Sequence, residues 1–210
     1  MTTREEVYAV IEGERNYQQL VWQQRCQDHG VAYTSDAETS VADWLIYIKG
    51  YYADAVRLAA HDPDGGDVLH VVRKLAALCV ACMEGHGGWE RVSDGSIRTF
   101  FPTPTCDQVY RLIDFERDYQ DSLGADRTDD RQHMVNDYLV MFDSYLNTAM
   151  SAWTYTAGDR EALKQIGKLA GICVHCMEDC GAPRRVVDVA LGHESVGIIK
   201  KWRNRIRWGR

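Results

Sequence analysis

The sequence is poor in the features that usually assign a class at once. It has four prolines in 210 residues, so little in it would interrupt long helices. No apolar run approaches the ~20 residues that a membrane-spanning helix needs. The longest, Leu75–Met83, has nine, and no membrane span is expected. The opening Met-Thr-Thr-Arg-Glu-Glu has none of the apolar stretch of a secretory leader. Seven cysteines make an odd number, and several sit in apolar stretches. They read as reduced thiols of a cytoplasmic protein rather than as a disulfide framework. No segment alternates with period two between turn signals, so strands are not expected. A glycine-rich phosphate loop, a His-Glu-X-X-His helix and a Ser/His/Asp set are all missing. No catalytic residue, metal or cofactor is therefore assigned.

What remains is an ordinary globular composition, 45% hydrophobic and 26% charged, with a net charge of −7. The charge is uneven. Residues 189–210 hold Lys200, Lys201, Arg203, Arg205, Arg207 and Arg210 against Glu194, leaving an acidic body with a basic tail. Only that tail is a candidate for nucleic acid.

The chain also repeats itself. Shifted by 102 residues, Val7, Tyr8, Ile11, Glu14, Arg15, Tyr17 and Gln18 fall on Val109, Tyr110, Ile113, Glu116, Arg117, Tyr119 and Gln120. Shifted by 94, residues 41–94 match 135–188 at eighteen of fifty-four positions, where roughly three would arise from ordinary composition. The densest block, Lys74-Leu-Ala…Cys79-Val…Cys82-Met-Glu84, returns as Lys168-Leu-Ala…Cys173-Val…Cys176-Met-Glu178. The chain reads as a tandem duplication, with a longer loop in the first copy around Asp28 to Thr39. Apolar spacing of 3.6 residues gives each copy three helices. The second opens at Ser40-Val-Ala-Asp43, a capping-box-like start. The expected organisation is a first three-helix repeat over 1–88, a linker over 89–106, a second repeat over 107–188 and a basic tail over 189–210. The expected fold is all-α, two three-helix units packed about a pseudo-two-fold axis as in a homodimer.

The Arg/Gln-bearing first helix, the aromatic-led second and the alanine-rich third ending in Ala81-Cys-Met-Glu-Gly-His-Gly87 resemble small helical proteins of phages and prophages. More distantly, the layout resembles the MazG-type all-α nucleoside triphosphate pyrophosphohydrolases. That family binds Mg²⁺ through acidic sets on its second and third helices. The positions that superpose on those sets are Gly50, Tyr51 and Asp54 with Val71 and Lys74, then Ser144, Tyr145 and Thr148 with Gln165 and Lys168. The resemblance thus implies a relative that has lost the hydrolytic metal site.

Glu14 and Gln18 fall on the inward stripe of the first helix, and Glu116 and Gln120 do so in the second copy. A buried carboxylate needs a partner. Arg15 or Lys74, and Arg117 or Lys168, are the candidates. One reading is an internal salt-bridge network that fixes helix register. The other is a ligand site in which Glu14, Arg15, Tyr17, Gln18 and Lys74, with Glu116, Arg117, Tyr119, Gln120 and Lys168, receive a small anion, most simply a nucleotide. Cys79/Cys82 and Cys173/Cys176 have the spacing of zinc pairs but lie in helical stretches where small thiols pack. Cys180, at a helix end, is the more exposed thiol.

The functional expectation is non-catalytic binding or sequestration of a nucleotide or nucleotide-derived signal, with an anti-defence role in view of the phage resemblance. A divergent Mg²⁺-dependent pyrophosphohydrolase using Glu14, Asp54 and Glu84 is the enzymatic alternative. A protein- or nucleic-acid-binding adaptor working through Lys200, Lys201, Arg203, Arg205 and Arg207 is the third, and self-association stays open.

Overall fold

A computed structural model describes the chain apart from residues 1, 31, 33, 62–64, 93–95, 125–132, 156–157 and 186–210, and the side chain at position 98. Helices α1 (Arg4–His29), α2 (Val41–Ala59) and α3 (Gly66–His86) come first. A hairpin of β1 (Gly88–Arg91) and β2 (Ile97–Phe101) follows, then α4 (Cys106–Gly124), α5 (Val135–Tyr155) and α6 (Asp159–Cys180). The described chain is mostly helical, and none of its helices is long and apolar enough to cross a membrane.

Side chains at the ends set the helix limits. Thr3 and Glu6 form a reciprocal capping box at the head of α1, and Gly30 closes that helix at φ 63°, in the left-handed region where glycine carries no Cβ penalty. Ser40 caps α2 by accepting from the Asp43 N–H. The counterpart of the loop expected to be longer near Asp28 to Thr39 lies largely outside the described residues. α1 has 26 residues and α4 has 19.

α3 and α6 form the centre, packed on each other and flanked by α2 and α5. Their apolar residues cover nearly the whole helix circumference, from Val68 to Met83 and from Ala162 to Met177, as a central helix requires. Small side chains let these two helices approach. Cys79, Cys82, Cys173 and Cys176 are fully buried among them, and burial pushes the Cys79 thiol up to about 12. These thiols pack as small apolar groups.

The 89–106 stretch corrects the expectation of a strandless linker. Gly88 pairs with Phe101, Trp89 with Phe100, Glu90 with Thr99 and Arg91 with Ile97, antiparallel, with a register shift between Glu90 and Arg91. Aromatic burial drives the fold-back. The Trp89 indole N–H donates to the Arg160 carbonyl at 2.9 Å, and the Arg160 guanidinium lies 4.9 Å from the Phe100 centroid. The shift in register re-aims a side chain, and Arg91 goes inward to 7% exposure. Gly87 permits the hairpin's departure from α3, with φ 102° and a Cβ position 2.4 Å from the Phe101 carbonyl oxygen.

Two helical glycines make opposite demands. Gly50 in α2 has open space around its Cβ position, whereas a Cβ on Gly85 in α3 would sit 2.6 Å from the Asp36 carbonyl oxygen. Gly50→Ala is expected to stabilise the fold by about 0.5–1 kcal/mol. Gly85→Ala is expected to destabilise it by about 1–3 kcal/mol through overpacking. Urea denaturation followed by circular dichroism measures both, and effects of the same sign would contradict the seating of the 35–39 turn on α3.

Candidate functional site

The inward stripe of α1 ends in a carboxylate. Glu14 is 1% exposed, so its charge needs compensation inside the fold. Two arginines supply it. Arg73 of α3 donates from Nε to Glu14 Oε2 at 2.9 Å. Arg185, beyond the end of α6, donates from Nε to Oε2 at 2.9 Å and from Nη2 to Oε1 at 2.8 Å, a two-pronged contact that the planar guanidinium suits. The Arg185 guanidinium also lies 3.5 Å from the Tyr17 ring centroid, within the range of a cation–π contact. Gln18 completes the cluster, its Nε2 donating to Glu14 Oε1 at 3.3 Å and to the Lys74 carbonyl at 3.5 Å.

The other half holds a matching arrangement. Glu116 of α4 is 8% exposed and accepts from Arg91 Nε at 2.5 Å. The Arg91 guanidinium sits 4.3 Å from the Tyr119 centroid. Gln120 donates to Glu116 Oε1 at 3.2 Å and to the Lys168 carbonyl at 3.3 Å. The two clasping arginines are exchanged. Arg91, from the hairpin of the first half, holds the carboxylate of the second, and Arg185, from the second half, holds the carboxylate of the first.

Arg15 and Arg117 go elsewhere. Arg15 pairs with Glu84 and with Asp36. Arg117 pairs with Glu178 and Asp121, where Arg4 joins it on Glu178 at 2.9 Å. The predicted residues therefore divide into two layers, Glu/Tyr/Gln with the exchanged arginines and Arg15/Arg117 with the α3 and α6 glutamates. Lys200, Lys201, Arg203, Arg205 and Arg207 lie outside the described residues.

Lys74 and Lys168 are half-buried, and neither ammonium makes an ion pair or hydrogen bond among the described residues. Desolvation lowers the pKa of both. Glu14 opposes that shift at Lys74 while Arg185 and Arg73 add to it, and Arg91 adds to it at Lys168. Lys74 Nζ stands 5.8 Å from the Tyr51 centroid. Gln18 Oε1 and Gln120 Oε1 are buried and accept no hydrogen bond among the described residues, while each amide nitrogen donates to a carboxylate and a carbonyl.

The halves differ in space. Arg73 occupies the position that Gly167 holds 94 residues on, and a Cβ at Gly167 would meet the Met83 methyl at 3.8 Å. Around Arg91 and Glu116 the enclosed cavity is about 10 Å³, bounded by Met83, Leu112 and Gly167 among others, roughly one water-sized sphere. Beside the first cluster lies an open cleft of about 630 Å³, lined by Gly66, Asp67, Leu69, His70, Gly181, Ala182 and Pro183. Arg73 connects it to Glu14, since its Nη1 donates to the Pro183 carbonyl at 2.6 Å and lies 3.2 Å from His70 Nδ1.

Sequence reasoning missed Arg73, Arg91 and Arg185. For the last two a signal was present, since they are identical residues at the 94-residue shift. Among the described residues no three His, Cys, Asp or Glu side chains gather as a metal-holding group. Comparison of the chain with family models, curated proteins and solved structures finds no match.

Removing one member of a buried pair strands the other. Arg91→Met is expected to destabilise the chain by about 3–5 kcal/mol, and adding Glu116→Leu to recover most of that loss. Chemical denaturation of the two variants checks this. A single variant as stable as wild type would show that Glu116 does not depend on Arg91.

Proposed function

We propose that the chain is a non-catalytic binding protein for a small nucleotide-like anion, with its site on the first-half cluster. The observation that carries this is Lys74. It is a half-buried ammonium without a carboxylate of its own, next to Arg73 and Arg185, which share the single charge of Glu14. Three cations around one carboxylate leave an excess that an anion would neutralise. The neighbours suit a nucleotide. Tyr51 offers a ring face beside the ammonium, Gln18 Oε1 is an acceptor still to be satisfied, and His70 and Arg73 lead along the same stripe of α3 into the 630 Å³ cleft. That volume lies within the ~300–1,000 Å³ typical of small-molecule sites.

In this reading the halves are copies of one three-helix unit set about a pseudo-two-fold axis. The eighteen identities at the 94-residue shift and the exchange of Arg91 and Arg185 both support it. Only the first copy has diverged toward a ligand. The resemblance to phage-encoded proteins would make that ligand a host nucleotide signal. The hydrolase reading is less well supported. Glu14, Asp54 and Glu84, the acids it would need together, are held separately by Arg73 with Arg185, by Arg57 and by Arg15.

The test is thermal unfolding of wild type, Lys74→Met and Lys168→Met against nucleoside triphosphates, cyclic dinucleotides and inorganic phosphate. A ligand at 100 times its dissociation constant stabilises by about 2.7 kcal/mol. That rise is expected in wild type and Lys168→Met and is expected to vanish in Lys74→Met. Without ligand, Lys74→Met is expected to be more stable than wild type by about 1 kcal/mol, because a desolvated charge held for function is removed. A panel without any shift, or a shift that survives Lys74→Met, would overturn the assignment.

A further inference from the structure

The last turn of α6 carries two thiols that the binding site does not use. Cys176 and Cys180 are four residues apart on one face of the helix. Cys176 is fully buried and Cys180 only partly so. The Cys176 thiol is a hydrogen-bond neighbour of the Cys180 sulfur, and the Cys180 thiol donates to the His133 carbonyl oxygen at 3.7 Å. Residues i and i+4 of an α-helix have Cα atoms about 6 Å apart, inside the ~4.4–6.8 Å that a disulfide spans, while their Cβ atoms, about 5–6 Å apart, must close to about 4 Å as the last turn opens. The helix stops immediately afterwards, at Gly181 with φ 110°, so the turn can adjust without disturbing a following one.

We propose that Cys180 and Cys176 form a redox-active dithiol, Cys180 attacking and Cys176 resolving, with a hydroperoxide as the oxidant. The Cys180 thiolate attacks one peroxide oxygen. The O–O bond breaks, the leaving oxygen takes a proton and departs as an alcohol or water, and Cys180 becomes a sulfenic acid. The Cys176 sulfur then attacks the sulfenyl sulfur. An S–S bond forms, the S–O bond breaks, and hydroxide leaves with the Cys176 proton as water. Two thiols lose two electrons and two protons, and the hydroperoxide is reduced.

The surroundings divide the roles in the same way. The hydrogen bond from Cys176 favours the Cys180 thiolate and lowers its pKa, against burial and the nearby Asp179 and Asp137. Burial and the shared proton raise that of Cys176. A thiolate with access to solvent and a resolving thiol beside it is the arrangement of a redox-sensitive cysteine. Cys79, Cys82 and Cys173 lack the access, and Cys106, hydrogen-bonded to Glu84, is pushed up to about 12. The first half has no counterpart pair, because the residue 94 positions before Cys180 is His86. Oxidation would be felt nearby. The same turn holds Asp179, which accepts from the Tyr138 hydroxyl at 2.6 Å, and it continues through Gly181 toward Arg185.

The experiment treats the full chain with graded hydrogen peroxide, then blocks free thiols under denaturing conditions for mass mapping. In wild type and in Cys173→Ser the free thiol count is expected to fall by two, with a 176–180 crosslink. In Cys176→Ser oxidation is expected to stop at a sulfenic acid on Cys180, trapped by dimedone. In Cys180→Ser both signals are expected to be lost, with Cys180→Ala used if that variant fails to fold by circular dichroism. Loss of the crosslink in Cys173→Ser would reassign the pair and overturn the proposal. So would dimedone labelling of Cys26 in preference to Cys180.

Discussion

Two buried carboxylates govern this molecule. Glu14 and Glu116 sit where inward stripes of α1 and α4 meet the core, 1% and 8% exposed. A carboxylate so placed is costly until it is both paired and hydrogen-bonded. The pairing is not local. Each carboxylate is held by an arginine that follows the third helix of the opposite half, Arg185 for Glu14 and Arg91 for Glu116. Glu14 also has Arg73 of its own half, whereas Glu116 relies on Arg91, and the two long-range pairs tie the halves to each other. Hydrophobic burial along α3 and α6 supplies the adhesion, which is non-directional. The exchanged arginines select one relative placement, because a shift by a helical turn would leave charges stranded on both sides.

Small substitutions then separate the two clusters. Around Glu116 there is one arginine, a glycine at 167 and a methionine methyl nearby, and the residual space admits no more than a water. Near Glu14, Arg73 stands 94 positions before Gly167, and its guanidinium reaches both the carboxylate and the Pro183 carbonyl. That arginine props the 181–185 segment at the rim of the cleft. The hairpin contributes Arg91 to the second cluster, and the 181–185 segment contributes Arg185 to the first. Trp89 and the hairpin border the small cavity at the second cluster, whereas the first is buried with an open cleft beside it.

Much of the fold was legible because helical periodicity is written in side-chain type. Val7, Ile11 and Glu14 mark a buried stripe, Ser40 and Asp43 mark a helix start, and the apolar circumference of Leu75–Met83 marks a central helix. The hairpin escaped because its strands are four and five residues long, too short for alternation to stand out. Its drive is the burial of Trp89 and Phe100 against α6, a tertiary cause. The inward placement of Glu14, Gln18, Glu116 and Gln120 was legible from spacing alone. The identity of their partners was not. Arg15 follows Glu14 directly, so the two point to different sides of the helix, and the true partners lie 59 and 171 residues away. Distance along the chain hid them, although repetition of Arg91 at Arg185 was an available clue.

The arrangement around Glu14 is not the most stable one available. Buried ion pairs are often no better than well-packed apolar groups of similar size. The second cluster moves toward economy with one arginine and a filled cavity. The first adds an arginine, so that both Arg73 and Arg185 disfavour the charge of Lys74 while Glu14 supports it. A structural role would be met by Arg185 alone, since it already satisfies both oxygens of Glu14. The added positive charge beside Lys74 is therefore a cost that the scaffold does not require. An anion that settles beside Lys74 would remove the repulsion and complete the electrostatics that the fold leaves open.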